Sequence, residues 1–475
     1  MNIVLVVFDS LRKDCIGCYN DGPPGTPAWP WKVKTPHLDR LAAESLVFDR
    51  AWPESLPTLP TRRALYTGKR VYPFDKGDFR LKGDFVGAPG WGPIPEDQPT
   101  LAERLKEAGY RTGLVADVYH MFKPSKNYWR GFEQWTFLRG QEIDPCRSGP
   151  EPSEELIRRY LPEPLERAVP WRRQFVTTAL KNMYGRDREE DYYNARVLIE
   201  AARWLEQNRD AGNFFLTVES FDPHEPWFVP EHYRRMYDET DGPEQVISGY
   251  ATDEMSPELL RRTQANYSGL VTMCDRWFGH LVETMRVLGM LENTALIVTT
   301  DHGHCIGDGG YVGKRGYPSG PAVFEVPLFI RHPDGTGAGR RSDLLVQHTD
   351  LAAQVLGLAG VDAAGELDGE SFFDQAVAGK PGHRDHVTVA WGPNLTVIDE
   401  AWWLNCKVDG TGVLLRDRSA ADPFAANVAD DHRDEVGRLF EAGLADAGAE
   451  IPAYLMEMAR KQEDAPGCSA LAARK

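Results

Sequence analysis

The sequence predicts an α/β fold, with a large mixed sheet covered by helices on both faces and a small C-terminal antiparallel α+β subdomain. Three observations carry this. Near-continuous apolar runs, Asn2 to Phe8, Asn213 to Val218 and Ala295 to Thr300, alternate with amphipathic helical stretches, the pattern of strands buried on both sides. Each run leads into groups able to do chemistry: Asp9-Ser10, Glu219 to His224, and Asp301-His302-Gly303-His304. From about Phe373 this rhythm gives way to short alternating segments broken by turns, which read as antiparallel strands. The expected division is a catalytic domain over 1–372, with an insertion at about 144–188, and a subdomain over 373–475.

Taken in order, the first strand lacks a basic leader and a small-residue cleavage site and is too short to cross a bilayer, so the chain is expected in the cytoplasm. A Gly/Pro-rich loop follows over Asp21 to Pro30, then a helix over Thr35 to Ala42 with Thr or Pro at its start. Val47-Phe48 is a short strand. A helical run from Arg62 to Tyr66 stops at Gly68, and Leu101 to Ala108 is a helix stopped by Gly109 before a strand over Arg111 to Ala116. The stretch Asp144 to Arg188 is polar and irregular in period, which marks it as an insertion and a candidate lid. Helices are expected over Tyr192 to Gln207 and Glu258 to Leu288. In the C-terminal part, strands over Val387 to Trp391, Leu395 to Ile398 and Trp402 to Val408 carry a final helix near Asp434 to Ala445.

The chain has 475 residues and a formal charge of −17. That balance argues against nonspecific binding to nucleic acid or an anionic membrane, and an anionic substrate then needs local positive charge or a metal. Seven scattered cysteines do not form a disulfide framework and fit a reducing compartment. Cys15 and Cys18 make a C-x-x-C without a second pair and are read as incidental.

The reactive atom is expected in Pro57-Thr58-Leu59-Pro60-Thr61-Arg62. Thr58 supplies a hydroxyl, two prolines fix the backbone, and Arg62 sits one helical turn further along the same face. Backbone N–H groups at a helix start, with a guanidinium fork, suit a tetrahedral oxyanion. Asp9, Asp301 and His302 offer two carboxylates and an imidazole to one divalent cation, with the Thr58 oxygen completing the set. Arg62 and Lys314 are expected to hold the non-bridging oxygens, and His224, with His120 as a weaker candidate, to protonate the leaving oxygen. Asp222, His304 and His348 are left for a second metal. Trp227, Phe228 and Tyr311 suit either a specificity pocket or the core.

These motifs resemble the sulfatase family of the alkaline phosphatase superfamily. Thr58-Leu59-Pro60-Thr61-Arg62 with Leu65-Tyr66-Thr67-Gly68-Lys69 is similar to the family's nucleophile signature, Phe221 to Pro226 carries its histidine, and Asp301-His302-Gly303 with Gly313-Lys314 is similar to its second metal motif and anion-binding lysine. Thr35 to Phe48, Thr100 to Thr112, His348 to Gly360 and Leu414 to Asp430 resemble further family segments. The resemblance implies an alkaline phosphatase-like fold and ester hydrolysis. Three departures bear on the chemistry. Sulfatases carry Cys or Ser at the position of Thr58 and oxidise it to formylglycine; oxidation of threonine gives a ketone, so no formylglycine is expected. Unmodified threonine is the nucleophile of phosphodiesterase and phosphonate-cleaving relatives. Ser10 replaces a carboxylate and His302 stands where many calcium sulfatases have Asn, which favours manganese, zinc or iron over calcium. The family's Lys-x-His element survives only as Asp117-Val118-Tyr119-His120.

The expectation is a metal-dependent hydrolase of phosphate esters, diesters included, or phosphonates, working through Thr58. The alternatives are a sulfatase working without formylglycine and a non-catalytic anion-binding protein. A small anionic ester is the expected partner. The C-terminal subdomain is free to cover the site or to pair with a second copy of the chain.

Overall fold

Every residue of the first strand is buried, as a strand covered on both faces requires. The computed structural model describes residues 1–19, 29–74, 86–123, 126–162, 165, 170–448 and 450–461; most of the Gly/Pro-rich loop expected over Asp21 to Pro30 lies outside them. The main sheet joins β1 (Asn2–Phe8), β2 (Leu46–Phe48), β3 (Arg111–Ala116), β4 (Gln134–Phe137), β5 (Phe214–Ser220), β6 (Thr294–Thr300), β7 (Leu328–Arg331) and β8 (Arg340–Ser342). Their order is β8-β2-β7-β6-β1-β5-β3-β4. β1 runs parallel to β5 and β6, whereas β7 is antiparallel to β6 and β2, so the sheet is mixed. Phe8 is in register with both Ser220 and Thr300. Asp9, Phe221 and Asp301 therefore leave the sheet side by side.

Alternate side chains of β1 serve the two faces. Val4, Val6 and Phe8 pack with Leu38 of α1 (Pro36–Ala43), Leu198 of a long helix and Phe278 of another. On the other face Ile3, Leu5 and Val7 pack with Leu59 of α2 (Thr58–Thr67), Leu105 of α3 (Leu101–Glu107) and Val355 further on. On the first face lie α4 (Tyr193–Asn208) and α5 (Pro257–Val287), and on the second α6 (His348–Ala359). No described helix is long and apolar enough to cross a membrane.

The stretch read as irregular, about 144–188, carries helices over Glu154–Tyr160 and Pro170–Met183. Ile157, Val176 and Ala179 are buried in the same core as α4 and α5. Its helical period is obscured in the sequence because the buried face of the second helix also holds Arg172 and Asn182.

Four antiparallel strands, β9 (His386–Trp391), β10 (Asn394–Asp399), β11 (Trp402–Lys407) and β12 (Leu414–Asp417), form the C-terminal sheet. α7 (Arg433–Ala445) lies against it at Gly443, where a Cβ would sit 2.7 Å from Val397. The sheet also reaches back to the main unit: Leu56 N donates to Ala390 O (2.9 Å) and Ala390 N to Glu54 O (3.2 Å).

His386, at the start of β9, ties this sheet to the end of α7 through Asp446 (3.2 Å) and also pairs with Asp385. Asp446, then Asp385, raises its pKa against the opposing effect of burial. The stabilisation is therefore complete below the usual histidine pKa of about 6.5 and is lost as pH rises through the raised value. Thermal melts of the parent are expected to lose stability relative to His386→Gln as pH rises above about 6.5; parallel pH profiles would rule this linkage out.

Candidate active site and metal centre

α2 starts at Thr58 and stops at Gly68, whose φ of 67° is the left-handed cap that glycine takes without strain. Thr58 is buried, and its Oγ1 lies 3.4 Å from Lys314 Nζ. Thr61 N bonds to Pro57 O (3.2 Å) and Pro60 has no N–H. The backbone donors left at this helix start for an anion are those of Thr58 and Leu59.

Arg62 lies one turn further on and is fully buried. Its Nη1 donates to Asp9 Oδ2 (3.0 Å), Asp301 Oδ2 (2.6 Å) and Thr58 O (3.2 Å), while Nε and Nη2 both donate to Glu219 Oε2 (3.0 and 2.9 Å). Tyr66 OH completes Glu219 through Oε1 (3.0 Å). The guanidinium expected to hold substrate oxygens is thus committed to three carboxylates, and its geometry makes it their counter-ion. Glu219, which the sequence places among the groups at the end of its strand, is given no role there. It lies inside a buried apolar strand, and only its pairing with Arg62, 157 residues away in the chain, reveals its role.

Asp9, Asp301 and His302 offer ligand atoms that all lie within 4.8 Å of one another, and they form the one such group of three or more among the described residues. Ser10 closes the group: its N donates to Asp301 Oδ1 (3.0 Å) and its Oγ to Asp9 Oδ1 (2.9 Å). To do so Ser10 adopts φ 61°, an unusual conformation for a residue with a side chain. His302 Nδ1 is held by Gly303 O (2.9 Å), while its Nε2 is buried with no hydrogen-bond partner and lies 3.4 Å from Asp301 Oδ2. Burial pushes the His302 pKa down to about 4, so the ring is neutral and Nε2 is a lone-pair donor. Burial, then the charge of Asp301, raises Asp9; for Asp301 burial is outweighed by His302, Arg62 and Lys314, which hold it low. Two carboxylates, a neutral imidazole with an unused nitrogen and a nearby hydroxyl fit a divalent cation.

His224 bonds through Nδ1 to Glu225 O (2.6 Å) and stacks on Phe221 with centroids 4.2 Å apart. Burial, together with Lys314 and His304, holds its pKa well below the usual range. His120 lies beyond Phe221, whose ring centroid is 6.1 Å away, and its Nε2 pairs with Glu142 (2.9 Å). The three residues left for a second metal do not converge. Asp222 is taken by Gln141 Nε2 (3.0 Å) and Asn194 N (3.1 Å), His348 begins α6, and His304 Nε2 lies 3.5 Å from Glu225 Oε2 beside Trp227. Trp227, Phe228 and Tyr311 are buried, and Trp227 and Phe228 belong to the core on the first face of the sheet.

The profile of the sulfatase family matches residues 1–361. The chain belongs to the sulfatase family. This sulfatase-family hydrolase is 24% identical over 428 residues to the multifunctional alkaline phosphatase superfamily protein PehA of Trinickia caryophylli, covering 80% of this chain and 78% of that one. It is 24% identical over 416 residues to an arylsulfatase of Clostridium perfringens, covering 81% and 80%. The crystal structure of the phosphonate monoester hydrolase of Agrobacterium radiobacter has the same fold, with a TM-score of 0.69 at 21% identity over 95% of this chain and 96% of that one.

Removing Arg62 leaves three buried carboxylates without their cation. Arg62→Met is expected to lower the unfolding free energy of metal-free protein by about 3–5 kcal/mol, read from urea titrations, with part of the loss recovered on adding a divalent metal. A change below about 1 kcal/mol would show that Arg62 is not the counter-ion of this site.

Proposed function

We propose that this sulfatase-family chain hydrolyses phosphate esters, diesters included, or phosphonates, with Thr58 as the covalent nucleophile. The observation that carries the reading is the pairing of Thr58 Oγ1 with Lys314 Nζ (3.4 Å) at the start of α2, beside the Asp9, Asp301 and His302 group. A threonine there cannot yield the aldehyde that attacks sulfur, whereas its hydroxyl can attack phosphorus directly.

Thr58 Oγ forms a bond to phosphorus as the bond to the leaving oxygen breaks, giving a phosphothreonine. Lys314 Nζ and the amides of Thr58 and Leu59 hold the non-bridging oxygens. The proton lost by the Thr58 hydroxyl is taken up by the uncharged His224 ring and passed to the leaving oxygen, which balances the step. Water then attacks phosphorus, the bond to Thr58 breaks, and the hydroxyl is restored with release of the phosphorus acid. Asp9, Asp301, His302 and the Thr58 oxygen are the groups that would hold one divalent cation, which when bound lowers the pKa of the hydroxyl and offsets oxyanion charge. An imidazole in that set, and Ser10 in place of a carboxylate, favour manganese, zinc or iron over calcium. Arg62 keeps the carboxylates aligned.

Sulfate-ester hydrolysis by unmodified Thr58 is the second reading, and the match to the sulfatase profile over residues 1–361 favours it. Metal-loaded protein assayed on paired 4-nitrophenyl phosphate, bis(4-nitrophenyl) phosphate, phenylphosphonate ester and sulfate separates the two. Turnover of the phosphorus substrates is expected to fall on the order of a thousandfold or more in Thr58→Ala; sulfate turnover alone, or a fully active variant, would sink the proposal.

Chelation followed by readdition tests the metal set. Activity is expected to vanish after dialysis against a chelator and to return with manganese, zinc or iron, and recovery with calcium alone would contradict the role given to His302.

A further inference from the structure

The hairpin that carries Lys314 has a second working face. Its strands, Cys305–Ile306 and Tyr311–Gly313, pair with Gly313 opposite Cys305. Lys314 turns toward Thr58, whereas the neighbouring Arg315 and Cys305 line a separate cleft of about 350 Å³ between this hairpin and the C-terminal sheet. Arg416, from β12, lines the opposite wall with Asp422 and Phe424.

Both arginines lack an anionic partner within ion-pair distance among the described residues. Arg315 Nη1 donates only to Gly309 O (3.0 Å), and Arg416 Nη1 donates to Phe424 O (2.8 Å) and Ala426 O (3.2 Å). In each the Nε is buried with no hydrogen-bond partner. Neither carboxylate in the cleft forms an ion pair with them. Asp308 is held on both oxygens by Arg12 (2.5 and 3.1 Å), and Asp422 accepts from Phe424 N (3.2 Å). Burial lowers the Arg416 pKa against the opposing charges of Tyr317 and Asp422, and the charge of Arg315 adds to the effect of burial. Two guanidinium groups facing one cavity, anchored on carbonyls and without an ion-paired carboxylate among the described residues, leave donors free for an anion between them. Phe424, whose ring lies 5.5 Å from Arg416 Cζ, and Pro318 and Ala322 give the rest of the wall an apolar character. The volume is that of a small-molecule site.

We propose that this cleft binds a small organic anion, a carboxylate or phosphoryl group on an apolar body, with the anionic head between Arg315 and Arg416. The site goes beyond the ester-hydrolysing centre and stands independently of it. In a chain with a formal charge of −17, long-range attraction does not bring an anion there. Bidentate contacts from guanidinium forks do so at short range.

The test uses 4-bromobenzoate, which has the required head and body and no ester to cleave. Crystals of the whole protein are soaked and the bromine is located by its anomalous scattering, for the parent and for Thr58→Ala. Calorimetry then compares the parent with Arg315→Gln and with the double variant Arg315→Gln/Arg416→Gln. The expected result is bromine in the cleft of both crystals, and affinity about tenfold weaker for each arginine removed. Bromine found only beside Thr58, elsewhere or nowhere overturns the proposal, as does a double variant that binds like the parent. If the double variant does not fold, the single Arg315→Gln and the position of the bromine decide. A protein inactive on every ester that still holds bromine in the cleft would sink the reading of Thr58 and leave this one standing.

Discussion

The guanidinium of Arg62 joins the ends of three strands that are far apart in the chain. Asp9 follows β1, Glu219 lies on β5 and Asp301 follows β6, and all three carboxylates accept from this one side chain at 2.6 to 3.0 Å. Burying so much charge without pairing would cost several kcal/mol for each ion, so the parallel register of β1, β5 and β6 and the position of α2 are bound together electrostatically. Moving α2 by a fraction of a turn would unpair Arg62 and carry Thr58 away from Lys314 at once. Three carboxylates against one guanidinium also leave the centre negative, which is the electrostatic basis for a divalent cation there.

The positive charge that meets a substrate is local and runs against that of the molecule. A chain with a formal charge of −17 repels an anionic ester at long range, so selectivity for such an ester has to be local. Lys314 supplies the positive charge beside the Thr58 hydroxyl. The histidines around it are uncharged, because burial holds His224, His302 and His304 below the usual imidazole range. A neutral ring can take a lone-pair role toward a metal or a proton, and a cationic one cannot.

Much of the architecture was legible in the chain. The apolar runs of β1, β5 and β6, and the polar groups just past them, pointed to one sheet edge, and the register of Phe8 with Ser220 and Thr300 places Asp9 and Asp301 there. α2 with its glycine stop and the first three strands of the C-terminal sheet were equally readable from local pattern. Pairing across hundreds of residues was not. Nothing local marks Glu219 as the partner of Arg62, because a carboxylate inside an apolar strand looks like an anomaly until its counter-ion is known. The short strands β7 and β8 are set by their neighbours rather than by their own period. The helix over Pro170–Met183 buries Arg172 and Asn182, so its apolar stripe is broken where the pattern would be read. The role expected for Arg62 failed for a related reason: spacing showed which face of the helix it occupies, and three distant carboxylates decided what that face meets.

The hydrogen bonds between Ala390 and the segment Glu54 to Leu56 have a bearing on modularity. The family profile ends at residue 361, and every side chain assigned to the ester-hydrolysing centre lies before that point. Yet the backbone that leads into Thr58 is secured by β9, which begins twenty-five residues later, at His386. A chain cut where the similarity stops would keep the whole chemical inventory and lose the clamp on the turn that presents it. The C-terminal sheet thus behaves as the outer jaw of the nucleophile's mounting, and the natural unit for grafting or trimming this catalyst is larger than its recognisable signature.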